Sequence, residues 1–163
     1  MHIYGQPCEM DTIMDIANKN NLKVIEDCAQ AHGAKYKGRY AGTIANVGGY
    51  SLNYHKHIHT GEGGIVVTDD DEIAERVRLI RNHAEAVVGD MDRVELSNMI
   101  GYNMRLGEIE SAIGIEQLKK LNTFTVRRQA ITRRLNVGLR ELRGLKIPYV
   151  QDDCTHVYLV YPM

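Results

Sequence analysis

Lys56 stands among His55, His57 and His59 within the run SLNYHKHIHTGEGG, from Ser51 to Gly64. A lysine flanked by imidazoles and followed by a glycine-rich turn is a candidate nucleophile, because burial and neighbouring cations lower an amine's pKa from about 10.4 toward neutrality. Ser51 precedes the lysine on a β-prone run, and Asp27 closes another such run, Leu22 to Asp27. Pyridoxal phosphate needs all three groups. Its aldehyde needs an amine, its ring nitrogen needs an anion to stay protonated, and its phosphate needs hydroxyl and amide donors. The histidines open a second chemistry: on a regular strand His55, His57 and His59 would share one face and could bind zinc. The glycine turn argues against a regular strand, and no cysteine or carboxylate stands at ligand spacing, so no metal site is expected. His55, His57 and His59 are expected instead to bond backbone or line the entrance, and His32, His83 and Cys28 to serve packing.

The elements that must hold these groups follow from periodicity. His2 to Tyr4 reads as the end of a strand, Asp11 to Asn20 as a helix with Ile13, Ile16 and Ala17 on one face, and Leu22 to Asp27 as a second strand. Strand, helix and strand form a βαβ unit, and its last carboxylates fall where open α/β sheets place ligands. Lys35 to Gly49 reads as an exposed hairpin or loop, Val47 to Leu52 as a strand, and Ile65 to Thr68 as a buried strand. From Asp71 the pattern is helical, with Ile73, Val77 and Ile80 on one stripe. A polar loop, Ala86 to Asn98, separates this helix from the motif IGYNMRL. Two amphipathic helices then run from Leu106 to about Leu121 and from Phe124 to about Leu142, the second capped by Asn122 or Thr123. Cys154 to Met163 is β-rich. No GxGxxG fingerprint or Walker lysine is present, so a dinucleotide or P-loop site is not expected.

Composition narrows the function classes. The 163 residues are 44% apolar and 25% charged, with a net charge of -1, an ordinary globular balance that gives no reason to expect nucleic acid or an anionic membrane as partner. The Arg127-Arg128 and Arg133-Arg134 pairs read as the solvated face of a mixed-charge helix. Cys8, Cys28 and Cys154 are odd in number and widely spaced, which fits a reducing, cytoplasmic setting. No apolar run nears the roughly 20 residues of a membrane span, and no signal peptide is written at the start. Both ends read as interrupted, as in a part of a longer protein.

Three stretches, VIEDCAQAHGAKYKGRYAGTI, SLNYHKHIHTGEGGIVVTDDDEIAERVRLIRNH and IGYNMRLGEIESAIGIEQLKKL, together resemble the core of the DegT/StrS family of pyridoxal-phosphate-dependent sugar aminotransferases. The resemblance implies an α/β fold: part of the large domain of a fold-type I, aspartate-aminotransferase-like transferase, over residues 1–122. Residues 123–163 would then be the connecting helix and the start of a truncated small domain. It implies pyridoxal 5'-phosphate as cofactor and Lys56 as the Schiff-base lysine. Asp27 would be the partner of the ring nitrogen, Gln30 would lie over the ring or near its phenolic oxygen, and Ser51 would be a phosphate ligand. Asn103 would reach the phosphate of a neighbouring subunit's cofactor in a homodimer with shared active sites, and Arg105 would position that loop. The implied reaction moves an amino group from an amino acid, glutamate or glutamine, to a keto group of a nucleotide-linked sugar or cyclitol. Ala45-Asn46 stand where many members have Gly-Asp, and Leu52 where a phenylalanine is usual. Two other readings stay open. One is a sugar dehydratase of the same fold, in which a histidine replaces the lysine. The other is a non-catalytic binding or assembly partner, motivated by the interrupted ends and a length about half that of members.

Overall fold

The computed structural model describes residues 1–85 and 99–163. The polar loop expected at 86–98 lies outside the described residues. The chain opens on a 3-10 turn, Ile3–Gly5, and not on a strand. Tyr4 takes φ 58° and Gly5 φ 105°, which reverses the backbone after a single strand-like contact, from His2 N–H to the Asp27 carbonyl at 2.9 Å. The expected βαβ unit therefore lacks its first strand among the described residues. Helix α1 (Met10–Lys19) buries Met10 and Ala17, whereas Ile13 and Ile16, expected on the buried face, are exposed.

Strand β1 (Ile25–Asp27) leads into a hairpin, β2 (Lys35–Tyr36) and β3 (Arg39–Tyr40). Its two-residue loop, Lys37-Gly38, has φ of 47° and 81°, the positive angles that match the twist of paired strands. Strand β4 (Val47–Ser51) pairs parallel with β1 in the register Ile25↔Val47, Glu26↔Gly48, Asp27↔Gly49. Strand β5 (Gly64–Val67) pairs antiparallel with β4, and the sheet order is β1-β4-β5. Ile65 and Val66 are 46% and 50% exposed because β5 is an edge strand here, so the expected buried strand is half open.

Helix α2 (Asp71–Ile80) starts where Asp70 Oδ1 accepts from the N–H groups of Glu72 and Ile73. Leu79 is its buried residue. Helices α3 (Glu108–Leu118) and α4 (Leu121–Leu139) meet at Lys119-Lys120. Asn122 and Thr123 lie inside the first turn of α4 and do not cap it. Ile109, Leu118 and Ile131 are mostly exposed, so the expected apolar stripes are not buried within this chain. Nor is α4 mixed in charge: it carries four arginines and no acid, and Arg128 is half-buried against the chain's end. Of the β-rich tail, Cys154–Thr155 forms β6, which joins β2 in the sheet β3-β2-β6. Residues 156–159 continue as an irregular strap. Val157 enters the core with Cys28, Ala31, Ala34 and Ala41, and Tyr50 packs against them. These small side chains let the backbones of two loops and β4 close on one another: a Cβ at Gly48 would strike the backbone of Gly42, and one at Gly42 the hydroxyl of Tyr50.

Candidate active site

Parallel pairing of β1 with β4 brings the C-terminal ends of two strands together, and each ends in a polar residue. Asp27 ends β1 with its carboxylate exposed, Oδ1 accepting the Ala29 N–H at 3.0 Å. Ser51 ends β4, two residues beyond Gly49, the register partner of Asp27. Its hydroxyl accepts the Asn53 N–H at 3.2 Å, and its carbonyl accepts His32 Nε2–H at 2.8 Å. Gln30 lies in the turn after β1. Its Oε1 accepts the Tyr4 N–H at 2.7 Å, so the amide nitrogen is left to donate outward.

Lys56 follows on a loop that leaves β4 and returns as β5. The loop is closed at its neck by Leu52 N–H to the Gly63 carbonyl, 2.8 Å, and Thr60 N–H to the Leu52 carbonyl, 2.9 Å. The glycine turn makes that closure possible: Gly61 and Gly63 have φ of 90° and 150°, and a Cβ on Gly63 would meet Leu106 and Thr60 at 2.9 Å. Asn53 Nδ2 holds Glu62 Oε1 at 2.8 Å across the neck. Half-buried Lys56 lines an open groove with Tyr54, His55, Gln117, Phe124 and Arg128. The three histidines sit on turns, not on a strand, and diverge. His55 is exposed against Tyr54, His59 is half-buried, and buried His57 donates Nε2–H to the Val157 carbonyl at 2.9 Å. Asn103 is placed at an antiparallel bridge to Asn82, beyond the end of α2, and Arg105 donates to Asn82 Oδ1 at 2.8 Å.

Burial fixes the protonation of the imidazoles. It pushes His57 down to about 4; the Val157 carbonyl opposes the shift, and the charges of Arg128, His32 and His156 add to it. Burial also lowers His32, with the Ser51 carbonyl opposing and Lys56 adding, and takes His156 to about 4. His32 and His57 are thus neutral, with the proton on Nε2. Their Nδ1 atoms are buried without a partner.

Two features were not anticipated from motifs. Glu26, facing inward where Asp27 faces out, accepts from His2 Nε2 (2.9 Å) and from the N–H groups of Gly42 (2.8 Å), Ile44 (2.7 Å) and Ala45 (2.7 Å). Burial alone would raise this carboxyl, but the His2 ring and the Ala45, Gly42 and Ile44 amides hold it at about 2. Strict alternation along β1 is the signal that could have found it, since one acid of an adjacent pair must point inward. Cys28 brings its sulfur within 4.8 Å of ligand atoms on His2 and Glu26. The trio is nevertheless a strut, because both ring nitrogens of His2 are engaged, Nδ1 with the Cys8 N–H at 2.9 Å and Nε2 with Glu26 Oε2 at 2.9 Å. A metal at Nε2 would displace the latter bond. The second feature is the strap at 156–159, which carries no recognisable motif.

The model of the DegT/DnrJ/EryC1/StrS aminotransferase family matches residues 1–163. GDP-perosamine synthase of Escherichia coli O157:H7 is 37% identical over 158 residues, which are 97% of this chain and 42% of that protein. DesV of S. venezuelae, solved in complex with a ketimine intermediate, superposes with a TM-score of 0.88 at 34% identity over 98% of this chain and 42% of that one. GDP-4-keto-6-deoxymannose-3-dehydratase superposes at 0.84 with 30% identity, over 97% of this chain and 44% of its own. The chain thus spans less than half the length of the relatives it matches, and its fold is part of that of the pyridoxal-phosphate-dependent aminotransferases. Every stretch of it is covered by the match, and on that ground the chain belongs to the DegT/DnrJ/EryC1/StrS aminotransferase family.

Proposed function

We propose that the strand-end site binds pyridoxal 5'-phosphate and, in the whole protein, transfers an amino group from glutamate or glutamine to a keto group of a nucleotide-linked sugar or cyclitol. The observation that carries this reading is the parallel register of β1 and β4, which sets an exposed carboxylate beside a strand-end hydroxyl, with the lysine loop rising from the same strand. The donor set fits the cofactor. Asp27 has a second carboxylate oxygen beyond its bond to Ala29, suited to a protonated ring nitrogen; Gln30 offers an amide N–H, suited to the phenolic oxygen; Ser51 offers a hydroxyl to the phosphate. When bound, the cofactor supplies an electron sink for the carbanion left when the substrate carbon loses its proton. Lys56 would hold the cofactor through Nζ and, as a free amine, would be the group that moves a proton at the substrate carbon. Asp27 would accept the N–H of the protonated ring nitrogen and so keep it protonated. His32 fixes the Ser51 carbonyl and with it the end of β4.

Lys56, where dehydratases of this fold carry a histidine, favours the aminotransferase over the dehydratase. Asn103, placed at the Asn82 bridge, would serve the cofactor of a partner subunit in a homodimer. Residues 1–122 would belong to the large domain and 123–163 to the connection toward the small one. The setting would be cytoplasmic; no helix among the described residues is long and apolar enough to cross a membrane. The test is a titration with pyridoxal phosphate, borohydride reduction and peptide mapping. Label is expected on Lys56 and is expected to vanish in Lys56→Ala. Label spread over surface lysines, or retained in that variant, would remove Lys56 from the role.

A further inference from the structure

The strap at 156–159 reaches the lysine loop directly and the Gln30 amide through Tyr4. Its Val157 carbonyl accepts from His57, next to Lys56, at 2.9 Å, while the Val157 N–H donates to the Gly5 carbonyl and the Leu159 N–H to the Tyr4 carbonyl, each at 2.9 Å. Tyr4 in turn donates its own N–H to Gln30 Oε1, and its φ of 58° is a conformation that a non-glycine residue keeps only when its surroundings hold it. From the other side, Arg128 on α4 donates to the carbonyls of Tyr158 (3.1 Å) and Leu159 (3.3 Å), and Gln129 Nε2 to that of His156 (3.1 Å). One four-residue segment thus ties the lysine loop, the Gln30 amide and α4 together, with its Val157 completely buried in the core beside Cys28 and Ala31.

We infer that His57 and Arg128 are positioning residues for Lys56, acting through one shared element, the 156–159 strap, which sets the lysine loop and the Gln30 amide together. His57 acts as a donor from a fixed tautomer, and Arg128 clamps the strap that His57 grips. Neither needs to touch a substrate. The inference rests on the proposed cofactor role of Lys56 and extends it to residues outside the strand ends. A merely structural role for the same two residues would lower stability and leave Lys56 no more mobile than any other destabilising change would.

The experiment uses the chain with His57→Leu, Arg128→Ala, the double variant, His57→Gln, and Leu79→Ala as a control for lost stability on α2, remote in sequence from the strap. Two quantities are read: cofactor affinity by absorbance titration, and the acetylation rate of Lys56 in the cofactor-free chain by peptide mapping. Each single variant is expected to weaken affinity and speed Lys56 acetylation by roughly five- to tenfold, the scale of one buried hydrogen bond. The double variant is expected to fall within about twofold of the worse single one, because both act on one element. His57→Gln, which keeps an N–H donor, is expected to restore most of the loss, and Leu79→Ala to leave the acetylation rate unchanged. Multiplying effects in the double variant, or an equal acceleration in Leu79→Ala, would overturn the inference. If the unaltered chain binds no pyridoxal phosphate, the proposed function fails for this chain, and the acetylation rates still decide the positioning role: acceleration in both single variants without further gain in the double upholds it, and unchanged rates refute it.

Discussion

Lowering the pH from about 7.5 to about 4.5 drives protons onto buried imidazoles, and the structure sets how much stability that removes. In the unfolded chain His57 titrates near 6.5, and in the fold near 4. Between those values the unfolded state binds more protons, so stability falls as pH falls. It is fully present above about 6.5 and has lost this contribution by about 4. At about 1.4 kcal/mol per pH unit the loss from His57 is about 3 kcal/mol. The local reason is that a second proton must go to Nδ1, which is buried and faces no acceptor. His156, held near 4 by burial, adds a loss of similar size, and protonating its Nδ1 would also break the bond it accepts from the Tyr158 N–H at 3.0 Å. Both sit on or beside the strap, so acid should loosen the lysine loop in the same window. Glu26 acts in a different one: held at about 2 against an ordinary 4.5, it loses its contribution only below about pH 4.5. Urea unfolding across this range checks the slope, with His57→Gln expected to remove its share and leave those of His156 and His32. Flat stability between about pH 6.5 and 4.5, or an unchanged slope in the variant, would refute the assignment of neutral, buried imidazoles.

Three further outcomes are expected. Gly42→Ala puts a Cβ against the Tyr50 hydroxyl at a φ of +95°, and should cost about 1–3 kcal/mol in chemical unfolding. Glu26→Ala leaves three backbone N–H groups and the His2 ring without their acceptor and should cost about 3 kcal/mol or more, whereas Glu26→Gln, which keeps one carbonyl acceptor, should cost less. Asp27→Asn removes the anion but keeps the shape. It should leave stability within about 0.5 kcal/mol, because the residue is exposed, while lowering transamination in the full-length protein by orders of magnitude; intact activity would displace Asp27 from the ring nitrogen.

Local structure was the legible part. The β-prone runs that end in Asp27 and carry Ser51 are the strands β1 and β4. The hairpin at 35–40 and the helix after Asp70 were legible for the same reason, since turn glycines and an N-cap act within a few residues, but the stretch expected to be exposed buries Tyr36 and Ala41. Burial was read less well. Ile65, Val66, Ile109 and Ile131 are apolar enough for a core, yet they remain largely open in a chain that spans under half of its relatives. Periodicity gives a face its character and says nothing about what covers it. Long-range partners were the least legible. The grip of His57 on Val157 and of His2 on Glu26 depends on which tautomer meets which carbonyl or carboxylate, and no spacing rule encodes that. The start of α4 was misplaced because Asn122 and Thr123 are good caps by type, while the helix begins uncapped at Leu121.

The bond from His57 to Val157 spans 100 residues of chain. Closing a loop of that length from a flexible ensemble costs on the order of 4 kcal/mol in chain entropy before any contact is made, and contacts of such separation slow folding. Asp27 and Ser51 can meet as soon as β1 and β4 pair, within a span of 25 residues from Asp27 through Ser51. The lysine loop acquires its final anchor only when Val157 has been synthesised, has left the ribosome and has docked. In a growing chain Asp27 and Ser51 therefore come together well before the lysine loop receives its anchor at Val157.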